Sequence, residues 1–152
     1  MKAPTPESFW VEAGTLLAGK YPARRLEALL DAGVGTFVDL TEADELDPYV
    51  ELLPDRAVHR RFPVPDIACP LADQVAAILD YIDERLAQGV VYLHCRGGCG
   101  RTGVVVGCWL VRQGASPEDA LARVHELTRA LWSKPCPETR AQIEMVTAWA
   151  ER

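Results

Sequence analysis

The stretch that most constrains how this chain can fold is residues 90–111, where two apolar runs enclose a glycine-rich turn. The first run, 90–93, is β-branched and apolar, which is typical of a buried parallel strand. The second run, 104–111, predicts a buried helix that begins near Arg101. A strand, a glycine-rich turn and a helix N-terminus form an anion-binding site, because backbone N–H groups converge there and the helix dipole adds positive potential.

Cys95 lies at the start of the glycine-rich turn, and Arg101 opens the predicted helix. The positive field at the turn favours the thiolate form of a cysteine, so we expect Cys95 to be ionised at neutral pH. We expect the Arg101 guanidinium to hold a tetrahedral oxyanion above the sulfur in a bidentate grip. The predicted substrate-binding residues are those of the turn and the arginine that closes it, namely Arg96, Gly97, Gly98, Cys99, Gly100 and Arg101. The segment therefore predicts phosphoryl transfer.

Residues 94–102 resemble the phosphate-binding loop of cysteine-dependent protein phosphatases, whose pattern is His-Cys, five residues, Arg and then Ser or Thr. His94, Cys95, Arg101 and Thr102 occupy the fixed positions. Rhodanese-type sulfurtransferases close a shorter loop with their arginine, and low-molecular-weight phosphatases carry the loop at the N-terminus. The resemblance implies that Cys95 is the nucleophile. We expect the Thr102 hydroxyl to donate to the departing sulfur and His94 to support the loop structurally.

A proline-punctuated loop at residues 63–70 contains the candidate general acid. A thiolate that cleaves a phosphate ester needs an acid to protonate the leaving oxygen, and Asp66 lies in this loop. The small atypical dual-specificity phosphatases carry their acid on a similar loop before the cysteine. Asp73 is the rival, but we expect it in the next helix, predicted at 71–88. The alternative interpretation of Asp66 is a turn residue after proline.

A third segment, residues 137–142, precedes a final amphipathic helix predicted at 141–150, with Pro137 suited to the first turn. In the resembled family, a glutamine in a Glu-Thr-x-x-Gln segment at this place positions the water that hydrolyses the phosphoenzyme. The resemblance implies that role for Gln142 and places Glu138 at the flank of the site. The resemblance to the small atypical dual-specificity class covers residues 8–150, nearly the whole chain.

The order of the predicted elements indicates an α/β fold with a central, mostly parallel sheet of about five strands and helices on both faces. The chain opens with a predicted hairpin around Gly14, followed by a helix at 23–32 and a strand at 36–40. Another strand is predicted at 57–62, and further helices begin near Arg101, Ser116 and Pro137. With 152 residues, the chain can form one catalytic domain, with residues 1–7 as a loose tail.

The net charge and the composition limit the classes of molecule that the chain is expected to bind. The net charge is −6, and an acidic segment after the strand at 36–40 should lie partly on the rim of the site. Both features disfavour nucleic acid and highly phosphorylated inositols as partners. No apolar run reaches the ~18 residues of a membrane span and no signal pattern is present, so we expect a cytoplasmic protein without a membrane partner.

The five cysteines have irregular spacings, which do not predict a disulfide framework or a metal site. Two alternatives stay open for Cys99: it lines the pocket, or it forms a disulfide with Cys95 on oxidation. Cys69, which lies near Asp66 in the sequence, is a second candidate partner for Cys95.

These patterns together predict a phosphomonoester hydrolase that needs no metal or cofactor and works through a phosphocysteine at Cys95. The resemblance implies a monomeric tyrosine or dual-specificity phosphatase that acts on phosphorylated proteins or peptides. The alternative is a small-molecule phosphatase of the same mechanism, with an inositol, sugar or nucleotide substrate. A remote alternative is a phosphoprotein-binding module without turnover.

Overall fold

The computed structural model of the chain describes residues 1–151 and contains one five-stranded sheet. The strands are β1 (Ser8–Glu12), β2 (Leu16–Gly19), β3 (Val34–Asp39), β4 (Val58–Arg61) and β5 (Val90–His94). Their order across the sheet is β1-β2-β5-β3-β4. Only β1 and β2 pair antiparallel, as the predicted hairpin, whereas β2, β5, β3 and β4 are parallel neighbours. The predicted α/β fold class is confirmed.

The helices are α1 (Leu26–Asp31), α2 (Ala72–Leu86), α3 (Gly100–Arg112), α4 (Pro117–Thr128) and α5 (Arg140–Ala148). Short 3-10 turns at Val50–Leu52 and Trp149–Glu151 complete the regular structure. None of the helices within residues 1–151 combines the length and the apolar character that crossing a bilayer requires.

Two hydrophobic cores cover the two faces of the sheet, because successive strand residues point to opposite sides. In β5, Val91 and Leu93 pack into the larger core, which α2, α3, α4 and α5 complete. Tyr92, between them, packs into the smaller core with Phe37 of β3 and the helix α1. The central position of β5 places its carboxyl end, where ligands bind in such sheets, in the middle of the molecule.

Two predicted helix starts are wrong. The first helix begins at Leu26 instead of residue 23, and no side chain caps it. The last helix begins at Arg140, so Pro137 lies before it and not in its first turn. Thr139 is the N-cap and forms a reciprocal capping box with Gln142, which fixes where α5 begins. By contrast, Ser116 caps α4 as predicted, accepting a hydrogen bond from the Asp119 backbone N–H.

Candidate active site

The loop from Cys95 to Gly100 connects the carboxyl end of β5 to the N-terminus of α3. Tyr21 holds one flank, because its backbone N–H donates to the Arg96 carbonyl at 3.0 Å. Gly98 has a φ of +71° and lies against the backbone of Gly19, where a Cβ on Gly98 would come within 2.7 Å of the Gly19 carbonyl. Only glycine fits this conformation at this close approach. The turn that the sequence predicted is therefore packed tightly against its surroundings.

Arg101 is 1% exposed and its guanidinium reaches both carboxylates of the site. Nη1 donates to the Val64 carbonyl at 2.7 Å and to Oε1 of Glu45 at 2.8 Å. Nη2 donates to Oε2 of Glu45 at 2.8 Å and to Oδ1 of Asp66 at 3.0 Å. Within residues 1–151, the Nε–H of Arg101 makes no hydrogen bond, so one edge of the guanidinium remains open for a ligand.

Glu45 is the functional residue that the sequence analysis missed. It belongs to the acidic segment expected on the rim, yet its side chain is only 8% exposed and forms a two-point ion pair with Arg101. Hydrogen bonds from Arg101 lower the pKa of Glu45 below its ordinary value, although burial acts the other way. Burial lowers the pKa of Arg101, but the hydrogen bonds with Glu45 and the negative charges of Cys95, Glu45 and Asp66 together outweigh it, so the pKa is raised. This pair holds the guanidinium charged and oriented.

Asp66 lies on the predicted acid loop and contacts Arg101, although its side chain is 45% exposed. Its Oδ1 also accepts the Ile67 backbone N–H at 2.9 Å. Ile67 adopts a φ of +71°, which is rare for a β-branched residue and marks a strained position of the loop. Asp73 lies in the first turn of α2, as predicted. It lines a different cavity.

His94 is fully buried beneath the loop. Its Nδ1 lies 3.0 Å from the Cys95 carbonyl, which can only accept, so Nδ1 carries the proton and donates. Its Nε2 then accepts from the Tyr49 hydroxyl at 2.6 Å. Burial lowers the pKa of His94, although nearby Asp39 acts in the opposite direction. This arrangement agrees with a supporting role for His94 in holding the loop.

Thr102 and Gln142 lie close to the loop in different settings. The Thr102 hydroxyl is fully buried and has no hydrogen-bond partner among residues 1–151, so it is free to donate to a charged sulfur. The Gln142 amide is fully engaged instead: its oxygen accepts from the Thr139 N–H, and its nitrogen donates to the Ile67 and Ala68 carbonyls of the acid loop. Gln142 thus connects α5 to the acid loop.

The structure corrects the expectations for the cysteines. Cys99 forms a disulfide with Cys136, with the two Cα atoms 5.1 Å apart, so Cys95 is not its partner, whereas the alternative that Cys99 lines the pocket is confirmed. The two residues are 37 positions apart in the sequence, and only the fold of the segment between α4 and α5 over the loop brings them together. Cys95 and Cys69 are free, and Cys95 is buried at the base of the pocket.

A cavity of about 400 Å³ opens above Cys95, with Arg101 and Asp66 in its wall. Its mouth includes three cationic side chains, Lys20, Arg96 and Lys134. Trp132 forms another wall: its Nε1 donates to the Gly97 carbonyl at 2.7 Å, and the Lys20 and Lys134 ammonium groups lie 4.5 and 4.8 Å from the centre of its ring. The cavity can therefore hold more than a phosphoryl group. No cluster of metal-ligating side chains occurs among the described residues.

Comparisons with known proteins agree on this fold and on a phosphatase family. Residues 13–115 match the family described as "Polymorphic toxin system, DSP-PTPase phosphatase". The chain is 31% identical, over 91% of its length, to a protein described as tyrosine phosphatase 067L from Invertebrate iridescent virus 3, and it spans 63% of that relative. It superposes on Tk-PTP in its active form with a TM-score of 0.84 and 29% identity, covering 97% of this chain and 98% of that one. PTPMT1 in complex with PI(5)P gives a TM-score of 0.79, with coverage of 95% and 94%, but at 18% identity it shows only the fold.

Proposed function

This chain belongs to the DSP-PTPase family of tyrosine and dual-specificity phosphatases, and from that premise we propose that it hydrolyses phosphomonoesters through a phosphocysteine at Cys95. The observation that carries the proposal is the buried guanidinium of Arg101 in the first turn of α3, which lines the pocket and has no hydrogen bond at Nε within residues 1–151. A buried cation beside a buried cysteine at a helix N-terminus is a site for a tetrahedral oxyanion.

In the first step, the Cys95 thiolate attacks phosphorus while the loop amides and Arg101 bind the equatorial oxygens. The phosphate displaces Asp66 from Nη2 of Arg101 and takes the Nε edge, because the Nη1 and Nη2 contacts with Glu45 can stay in place. Once released, the Asp66 carboxylate takes up a proton from solvent and then donates it, as the acid, to the leaving oxygen. The exposure of Asp66 supports this role, since the carboxyl reaches the pocket without unpacking the core.

In the second step, water attacks the phosphocysteine with Asp66 acting as the base, and the sulfur leaves as a thiolate. The unpartnered hydroxyl of Thr102 stabilises that thiolate by donating a hydrogen bond. Gln142 acts on this step through its two bonds to acid-loop carbonyls, which position the loop. Its amide is occupied by these contacts, so direct orientation of the water requires one of them to open.

We propose phosphorylated proteins or peptides as substrates, because the pocket is open and has an apolar side chain, Ile67, and an aromatic one, Trp132, at its mouth. A small phosphomonoester with a second anionic group is the alternative. The cationic side chains at the mouth of the pocket favour this alternative, above all Lys20, which forms no ion pair within residues 1–151. The other two are already paired, Arg96 with Glu45 and Lys134 with Glu138.

The first test compares the wild-type chain with Cys95→Ser on p-nitrophenyl phosphate. Serine removes the ionisable nucleophile but keeps the amide cradle, so we expect turnover to vanish while inorganic phosphate still binds. Residual activity above about one percent of wild type would place the nucleophile elsewhere. Phosphopeptides compared with inositol phosphates and nucleotides then separate the two substrate classes.

A further inference from the structure

The disulfide between Cys99 and Cys136 joins the phosphate loop to the segment that forms a wall of the pocket. Cys99 is the N-cap of α3 and lies between Gly98 and Gly100, in the middle of the predicted cradle. Its side chain makes no capping hydrogen bond to the helix, and its sulfur is bonded to that of Cys136. Cys136 belongs to the segment 132–139, which carries Trp132 and Glu138 at the mouth of the pocket.

Three glycines within the five residues between Cys95 and Arg101 leave this loop with little conformational preference of its own. One flank is held by the contacts of Gly98 and Arg96 with residues 19–21. The other flank is held by the Trp132 hydrogen bond to the Gly97 carbonyl and by the disulfide. The disulfide is thus the covalent part of the constraint, and it acts on the loop residue directly before Gly100.

We infer that the Cys99–Cys136 disulfide is a redox-sensitive clamp that holds the phosphate loop in its binding conformation, and that a dithiol switches the site to a weaker state while Cys95 stays reduced. This inference rests on the proposed function for its effect on turnover. A thiolate of the dithiol attacks one sulfur of the disulfide, and its second thiolate then releases a cyclic disulfide. Cys99 and Cys136 end as two thiols, and the dithiol is oxidised by two electrons.

The sulfurs are reached through the active site itself. Cys99 and Cys136 are both buried, but Cys99 lines the cavity above Cys95. A small dithiol therefore approaches by the same route as the substrate, and an oxyanion bound in the cradle obstructs it. If the chain works in the cytoplasm, as its sequence predicts, the dithiols there act on this bond. Reduction of the disulfide therefore weakens the site, whereas the same reductants protect the Cys95 thiolate from oxidation.

The experiment compares two forms of the folded protein, distinguished by counting thiols after denaturation. Protein oxidised with glutathione is used where three thiols titrate after denaturation, those of Cys69, Cys95 and Cys108, because a glutathione mixed disulfide at Cys95 would leave only two. Protein treated with dithiothreitol should have all five thiols. We expect kcat/KM for p-nitrophenyl phosphate to be lower by roughly ten-fold or more in the five-thiol form, with an unchanged far-UV circular dichroism spectrum. Reoxidation with oxidised glutathione should restore it. Inorganic phosphate should slow the reduction.

Two variants sharpen the test. Cys136→Ser should match the five-thiol form and no longer respond to the dithiol, whereas Cys69→Ser, which removes a free cysteine from the acid loop, should keep the full response. The affinity for inorganic phosphate provides a measurement that needs no turnover, and it should be weaker in the five-thiol form. If neither form turns over, the proposed function fails and this affinity still tests the clamp. Equal kcat/KM and equal phosphate affinity in both forms, or a loss of folded structure on reduction, would overturn the inference.

Discussion

The phosphate loop and the acid loop face each other across one pocket, but the structure holds them in different ways. Arg101 is almost fully buried, and the phosphate loop is fixed on both flanks by hydrogen bonds, a glycine contact and a disulfide. Asp66 is nearly half exposed, on a loop that hydrogen bonds with Leu40, Arg101 and Gln142 hold in place. Oxyanion binding requires groups fixed in advance, whereas an acid that later acts as a base must exchange partners.

The largest effect that separates the two loops should come from Asp66→Asn. If Asp66 is the acid, this variant should lose about 10²–10⁴-fold in rate with a phosphotyrosine or phosphoserine peptide. The loss should shrink with p-nitrophenyl phosphate, because a good leaving group needs less protonation. The pH–rate curve should also lose its alkaline limb, which reports the proton on the acid, and keep its acidic limb.

Asp73→Asn is the matched control for that prediction. It makes the same exchange of aspartate for asparagine, but at a residue of α2 that lines a different cavity. It should leave the leaving-group dependence and both pH limbs unchanged. The opposite pattern in the two variants would assign the acid to Asp73 and leave the role of Cys95 intact.

A change in the fixed loop should act on binding as well as on rate. Lysine at position 101 keeps the charge but cannot reproduce the planar fork that contacts Glu45 and the oxyanion together. We expect Arg101→Lys to lose roughly 10²–10³-fold in kcat/KM for every leaving group and to weaken inorganic phosphate binding. The absence of any leaving-group dependence distinguishes it from Asp66→Asn. Wild-type saturation and rate would refute the assigned role of Arg101.

The smallest effect concerns Glu45, the carboxylate that forms a two-point ion pair with Arg101. We expect Glu45→Gln to lower the free energy of unfolding by about 1–3 kcal/mol at neutral pH, because one charge-assisted contact with Arg101 becomes a poor match. The folded-state pKa of Glu45 is lowered, so its contribution is complete above the ordinary glutamate pKa of about 4.3 and disappears as the pH falls through the folded value. Chemical denaturation at several pH values should therefore show the two proteins converging in acid. A constant difference would contradict this role.

The sequence predicted the elements that rest on local patterns. The strand, glycine turn and helix around Cys95 follow from apolar runs and glycines, and the start of α4 follows from Ser116 and Pro117. The position of Asp66 beside Arg101 also agrees with the proline-loop argument.

Long-range pairings could not be predicted in the same way. Glu45 was one of several acidic residues after β3, and only the packing of that segment over Arg101 selects it. The Cys99–Cys136 bond joins two loops that no spacing rule connects. The start of α5 was misplaced because Pro137 suits a first turn, while the reciprocal bonds of Thr139 and Gln142 determine the actual start.

Trapping the covalent intermediate tests the central claim most directly. Asp66→Asn should form the phosphoenzyme readily from p-nitrophenyl phosphate, because that leaving group needs little acid, but should hydrolyse it slowly without its base. With substrate labelled in the phosphoryl group and a rapid denaturing quench, we predict that label accumulates on the peptide containing Cys95 and is absent after Cys95→Ser. Turnover without any labelled protein, or label on a peptide that lacks Cys95, would contradict the account.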